Sequence, residues 1–200
     1  MKNLTLVVIL VLIFCSVTHA QFVRGYGIKG GVVVANRSPS LVEDFPSEKT
    51  GFCAGIFLEL VDVPFFSILT EVQYTQKGSK RETGSYLGDM SLGYITIPVL
   101  AKLTMKGNSF NPYLFAGPRI DILVSDDYTD IESKTPGEIG IPKFESSVFG
   151  ADVGLGLETT ALNPLKLLFE FRYNFDFTNS LEAPFKSKSR SFGFLIGVGL

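Results

Sequence analysis

Charged residues recur at alternate positions of segments whose remaining positions are apolar. Lys29 stands among Tyr26, Ile28, Val32 and Val34; Glu59 follows Phe52, Ala54, Ile56 and Leu58; Glu170 and Arg172 interleave with Phe169, Phe171, Tyr173 and Phe175. The same spacing puts Glu71, Lys102, Arg119, Asp121, Asp152, Glu158 and Lys166 on the polar side of their segments. Together these are five bases and six acids on one face, near charge balance. Side chains of opposite charge brought into one confined space must pair, because an unpaired buried charge costs several kcal/mol. The chemistry this pattern suggests first is therefore mutual neutralisation.

Catalysis finds little to work with. The single histidine is His19, and the two cysteines are Cys15 and Cys53. Residues 1–20 have a basic start at Lys2, an apolar run from Leu4 to Phe14 and small residues before Gln21, the pattern of a secretory signal peptide. The run is too short to span a bilayer as a helix. Phe14 before Cys15 argues against a lipoprotein cleavage site. Cleavage after Ala20 leaves a chain (21–200) with 17 basic and 20 acidic groups, one cysteine and no histidine. Such a chain has no internal disulfide, no His general base for acyl or peptide hydrolysis, and few ligands for zinc or copper. It also lacks the basic excess of a nucleic-acid binder. We expect no enzyme activity and no cofactor.

Two segments carry charge outside the alternating pattern. Lys77, Lys80 and Arg81 fall in a stretch read as a connection over 77–91, and Asp126, Asp127 and Asp130 in one over 125–147, with Glu132 and Glu138 beyond. The acidic set matches no EF-hand spacing, so solvated charge is its reading rather than a calcium or catalytic site. The basic set is able to contact lipopolysaccharide phosphates, and mixed charge also keeps an exposed loop soluble.

The elements that must position these groups are strands. Period-2 alternation marks eight of them, around 26–34, 52–60, 66–76, 94–103, 113–124, 149–158, 165–175 and 191–200. Short connections, near Val61-Asp62-Val63-Pro64, at 106–109 and at 159–164, alternate with longer polar ones at 36–49, 77–91, 125–147 and 176–190. One face is almost continuously aliphatic and aromatic, too apolar to sit in water; the other mixes glycine with charge. About ten residues per strand at a tilt near 45° span about 23–25 Å, the apolar height of an outer-membrane barrel. The predicted fold is an all-β, eight-stranded, antiparallel, up-and-down transmembrane barrel over residues 21–200, with both ends periplasmic. A soluble lipocalin-like barrel is the competing reading.

The segments Tyr26–Gly31, Glu71–Gly78, Tyr94–Lys102, Asn111–Pro118 and Phe169–Asn174 resemble the outer-membrane β-barrel domain family of Bacteroidetes and related bacteria, the PorT-like "porin family" group. The resemblance covers essentially all of the chain after residue 20. It implies an eight-stranded barrel in the outer membrane, lipid and lipopolysaccharide as surroundings, the barrel assembly machinery as a partner during insertion, and envelope or secretion proteins as further candidates. Leu200 departs from the terminal aromatic residue many outer-membrane proteins carry.

An eight-stranded bore is wide enough only for its own side chains. Two readings of the interior follow: a charged network that plugs a closed barrel displaying surface loops, or a narrow gated conduit for small solutes. A role in a PorT-like secretion system rests on the resemblance alone. Pro98 sits mid-strand on the polar-face parity and removes a ladder donor, so a bulge or bend is expected there.

Overall fold

In a computed structural model, the described residues are 23–39, 49–83, 86–129, 145–162, 164–178 and 187–200. The segment read as a signal peptide and the residue Asp130 lie outside them. Eight strands follow in order: β1 (Val23–Pro39), β2 (Lys49–Val63), β3 (Phe66–Thr83), β4 (Tyr86–Thr104), β5 (Phe110–Thr129), β6 (Ser147–Leu162), β7 (Leu165–Asp176) and β8 (Ser187–Gly199). Each pairs antiparallel with its neighbours, and β1 pairs with β8 from Gly27↔Gly199 to Pro39↔Ser187, so the sheet closes into a barrel. Mutual backbone bonds between Tyr26 and Leu200, at 3.3 and 2.9 Å, complete the seam.

The alternation of residue types becomes an alternation of sides. Ile28, Ile56, Leu114, Leu155, Phe194 and Ile196 are exposed on the outside, while Lys29, Glu71, Lys102, Arg119, Asp152 and Arg172 are buried within. This is the inverse of a protein folded for water. Such an outer face is stable only against hydrocarbon, where every backbone polar group must pair internally, a demand that a closed barrel meets.

Strands of 12 to 20 residues are longer than the apolar alternation suggests. At a tilt near 45°, twenty residues rise about 47 Å, well beyond an apolar band of about 25 Å. The ladder therefore continues where outward residues turn polar. The stretch read as a connection over 77–91 is mostly strand: Lys77 pairs with Leu92, Lys80 with Asp89, Arg81 with Gly88 and Thr83 with Tyr86. Likewise Asp126 and Asp127 belong to β5, opposite Leu92 and Ser91. The expected strict alternation of short and long connections is corrected accordingly, since β3 and β4 are separated by residues 84–85 alone.

At the opposite rim the chain reverses at Pro64-Phe65, later than the turn read at Val61–Pro64. Val61 and Asp62 interrupt the register between Leu60 and Val63, with Val61 at φ 65°, an unusual conformation for a β-branched residue.

Pro98 lies on the inner face and is fully buried. The β3–β4 ladder runs from Thr70↔Val99 to Gln73↔Thr96 without the two pairs between. The β4–β5 ladder likewise lacks the pairs between Pro98↔Arg119 and Ala101↔Ala116, where Pro118 stands. Each proline removes one donor from one seam. The register is unchanged across both gaps, so the bulge expected at Pro98 is not there. The shift in β4 occurs instead at Gly93/Tyr94.

Candidate functional site

The interior is a stack of ion pairs in three connected tiers. Nearest the tight-turn rim, Lys102 Nζ of β4 lies 3.1 Å from Glu59 Oε2 of β2 and 3.0 Å from Glu158 Oε2 of β6. The Ser67 hydroxyl donates to Glu59 Oε1 at 2.5 Å, and Arg24 Nη1 approaches that oxygen at 3.2 Å. Arg24 has the outward parity of Tyr26 and Ile28. A register irregularity between Val23 and Gly25 turns it inward.

The middle tier joins opposite walls. Arg172 of β7 donates through Nη1 to Glu71 Oε2 at 2.8 Å and through Nη2 to Glu71 Oε1 at 3.0 Å, reaching β3 across the bore. Its Nη2 also donates to Glu170 Oε2 at 2.8 Å. Lys29 Nζ of β1 sits 2.7 Å from both Glu71 Oε1 and Glu170 Oε1. The Tyr113 hydroxyl donates to Glu170 Oε1 at 2.9 Å, and Lys102 Nζ lies 4.4 Å above the Tyr113 ring. That tyrosine links the first tier to the second.

Toward the other rim, Arg119 of β5 meets three aspartates. Its Nε is 3.2 Å from Asp121, Nη1 donates to Asp152 Oδ1 at 2.9 Å, and Nη2 donates to Asp176 of β7. Asp152 also lies 3.5 Å from Arg172 and so joins the second tier to the third. Lys77 Nζ donates to Asp121 Oδ2 at 2.7 Å and lies 5.4 Å over the Tyr94 ring.

Apolar side chains surround these charges. Phe57, Leu69, Leu100, Tyr113, Phe115 and Leu168 form one buried cluster inside the barrel. The Arg172 guanidinium stacks 5.0 Å from the Phe115 ring, and Lys29 Nζ is 4.9 Å from that of Phe57. Excluding water raises both the attraction within each pair and the loss on breaking one. The β8 wall contributes no charge to the stack among the described residues; its inward positions are Ser191, Gly193, Leu195, Gly197 and Gly199. An eight-stranded bore has little width, and the β8 glycines leave room for Arg172, Lys29, Leu168 and Phe57 from the neighbouring walls.

Ten of the eleven residues read as an inward network are buried in the stack. Lys166 has the right parity but is half-buried at the rim. Lys77, expected in a basic loop, is 5% exposed and points inward, because it continues the parity of Glu71, Gln73 and Thr75 toward Asp121. Of the other loop-charge residues, Lys80 and Arg81 lie in the β3 backbone, Asp127 in β5, and Asp126 is exposed on the outward parity of Ile122 and Val124. Arg24, Lys77 and Asp176 are the charged members the alternation argument passed over. With them the described stack holds six bases (Arg24, Lys29, Lys77, Lys102, Arg119, Arg172) and seven acids (Glu59, Glu71, Asp121, Asp152, Glu158, Glu170, Asp176). Each carboxylate is held by a base, an arrangement suited to rigidity rather than proton transfer. Among the described residues no group of three or more His, Cys, Asp or Glu side chains is arranged to hold a metal ion.

An apolar outer wall around a buried ionic interior, in a closed antiparallel barrel, defines an integral membrane β-barrel of the outer-membrane kind. Residues 20–182 match the family described as "Outer membrane protein beta-barrel domain", and the chain belongs to that family. The match ends ahead of β8, the strand that closes the barrel. The fold is similar to that of Neisserial surface protein A (NspA), at 18% identity and a TM-score of 0.55 over 88% of this chain and 96% of that one. It is also similar to outer membrane protein OprG from Pseudomonas aeruginosa, at 14% identity and a TM-score of 0.59 over 89% and 95%. Among curated proteins none matches the chain. The protein is an outer-membrane β-barrel.

Proposed function

We propose that this barrel is closed by its own ion-pair stack and acts as a structural or interaction protein, displaying surface segments rather than passing solutes. The observation that carries this reading is the Arg172–Glu71 pair, which ties β7 to β3 on opposite walls. A pore at that level needs the pair to part and both charges to find other partners. Flanking pairs at Lys102 and Arg119 repeat the obstruction above and below. Purified protein in planar bilayers should therefore give no steady openings, and a narrow gated conduit would reveal itself there.

Strands that rise beyond the apolar band make the wall a rigid stalk for the segments at its outer rim, including the one that carries Lys80 and Arg81. Envelope proteins and lipopolysaccharide phosphates are the partners we assign to that rim, and the barrel assembly machinery is the transient partner on insertion. Crosslinking in the native envelope followed by co-purification tests the first of these. Recovery of only uncrosslinked protein would remove the interaction role.

Two finer readings rest on sequence. Residues 1–20 serve as a signal peptide, so the protein from outer-membrane fractions should begin at Gln21 on N-terminal sequencing. The PorT-like grouping, supported by Tyr94–Lys102, carries a role in protein secretion with it. A deletion strain that exports its cargo normally would eliminate that role.

A further inference from the structure

Above the middle tier the stack leaves a small cavity, with room of about 10 Å³ for a water-sized centre, lined from every strand but β5. One wall is apolar, made by Val33, Cys53 and Leu195 with Gly193 beside them. The rest is polar, from Lys77, Thr96, Asp152 and, two residues apart on the same face of β7, Arg172 and Asn174. Both side chains are more than nine-tenths buried, and each presents an atom with no hydrogen-bond partner, Arg172 Nε and Asn174 Oδ1. The first is a donor and the second an acceptor. A buried polar group left unsatisfied costs about as much as a lost hydrogen bond, and proteins answer that loss with an internal water where the cavity admits one.

We propose that this cavity is a specific binding site for one water molecule, which accepts from Arg172 Nε–H and donates to Asn174 Oδ1. Size and chemistry select this occupant. The room matches a single water, the lower limit for hydration of a cavity. An anion has no proton to donate to Asn174 and would meet the Asp152 carboxylate on the same lining; a cation would meet Arg172 and Lys77. A neutral molecule that both donates and accepts satisfies both polar atoms. The water completes the guanidinium that spans the bore, since Arg172 Nη1 and Nη2 are already committed to carboxylates. The site deepens the closed-barrel reading by locating hydration just beyond the cross-bore pair.

Water–protein cross-relaxation by NMR on the full barrel in lipid nanodiscs tests it. The expected result is a cross-peak between Arg172 Hε and a water resident for longer than a nanosecond, lost in Asn174→Leu, which removes the acceptor and fills the space. Gly193→Ala is a second variant. Its added carbon meets the flexible Leu195 Cδ1 at 3.2 Å, Arg172 Cβ at 3.8 Å and the Val32 backbone oxygen at 3.9 Å, so it narrows the cavity while Arg172 Nε and Asn174 Oδ1 stay farther away, and the cross-peak should weaken. An observable Arg172 Hε with no slow water, or a cross-peak undiminished in Asn174→Leu, would overturn the site. Conductance of the same preparation separates this failure from that of the closed-barrel reading. A silent barrel without the bound water refutes the site alone, and a conducting one without it refutes both.

Discussion

Arg172 and Glu71, 101 residues apart in sequence, share two hydrogen bonds of 2.8 and 3.0 Å across the interior of the barrel. A planar guanidinium suits this two-point grip, which lysine cannot reproduce. Arg172→Met leaves Glu71 with Lys29 and Gln73 as its remaining partners, and it frees one side of Glu170. The expected loss is about 3–5 kcal/mol, the range for removing one partner of a buried ion pair. Adding Glu71→Leu should recover at least about 1 kcal/mol of that loss, because the second change removes the stranded charge. Urea midpoints of folding into lipid vesicles measure both; additive losses would contradict the pairing.

Lys77 lies inside the wall, held by Asp121 and the Tyr94 ring. Lys77→Met should cost about 2–3 kcal/mol, toward the low end for a broken buried pair because Arg119 still faces Asp121. Whole cells treated with a membrane-impermeant amine reagent should leave Lys77 unmodified, as judged by peptide mass mapping. Modification of Lys77 in folded barrels would return it to the surface.

Gly154 packs where a side chain has no room. An added carbon meets Phe115 Cζ at 2.4 Å and the Phe171 backbone oxygen at 2.4 Å, and the second obstacle cannot rotate away. Gly154→Ala should therefore destabilise by about 1–3 kcal/mol through overpacking. The check is the temperature at which the heat-modifiable band unfolds on gels, and an unchanged temperature would contradict the tight contact.

The paired gaps at Pro98 and Pro118 leave the wall with fewer inter-strand bonds near mid-height. The groups left without a ladder donor are the backbone carbonyls of Glu71 and Val99, which face Pro98 and Pro118. Pro118→Ala supplies a donor to Val99, so the new amide at position 118 should be protected from deuterium exchange; an unprotected amide there would contradict the gap's geometry.

Which parts of this were legible in the sequence follows from what alternation encodes. Parity alone identified the inward residues from Lys29 to Arg172, because every residue of a barrel strand faces either lipid or lumen. It failed at strand ends for one reason: the outward face turns polar above the membrane, so the contrast vanishes although the ladder continues. Lys77 and Asp176 were lost that way, though each lies two residues beyond an inward neighbour, Thr75 and Asn174. Arg24 was lost for another reason, since a bulge reverses parity with no composition signal. Lys166 shows the converse, with correct parity at a height where the rim leaves it half-buried. Pro98 revealed a missing bond but not the unchanged register, which depends on how the neighbouring strands absorb the loss.

The central claim is that the stack closes the bore. Single-channel recording of the purified, folded protein in planar bilayers tests it most directly, alongside a barrel carrying Arg172→Ala and Glu71→Ala together. The account predicts a silent wild type, and a double variant that also stays closed while the Lys102 and Arg119 pairs above and below remain. Steady nanosiemens-scale openings of the wild type would contradict it.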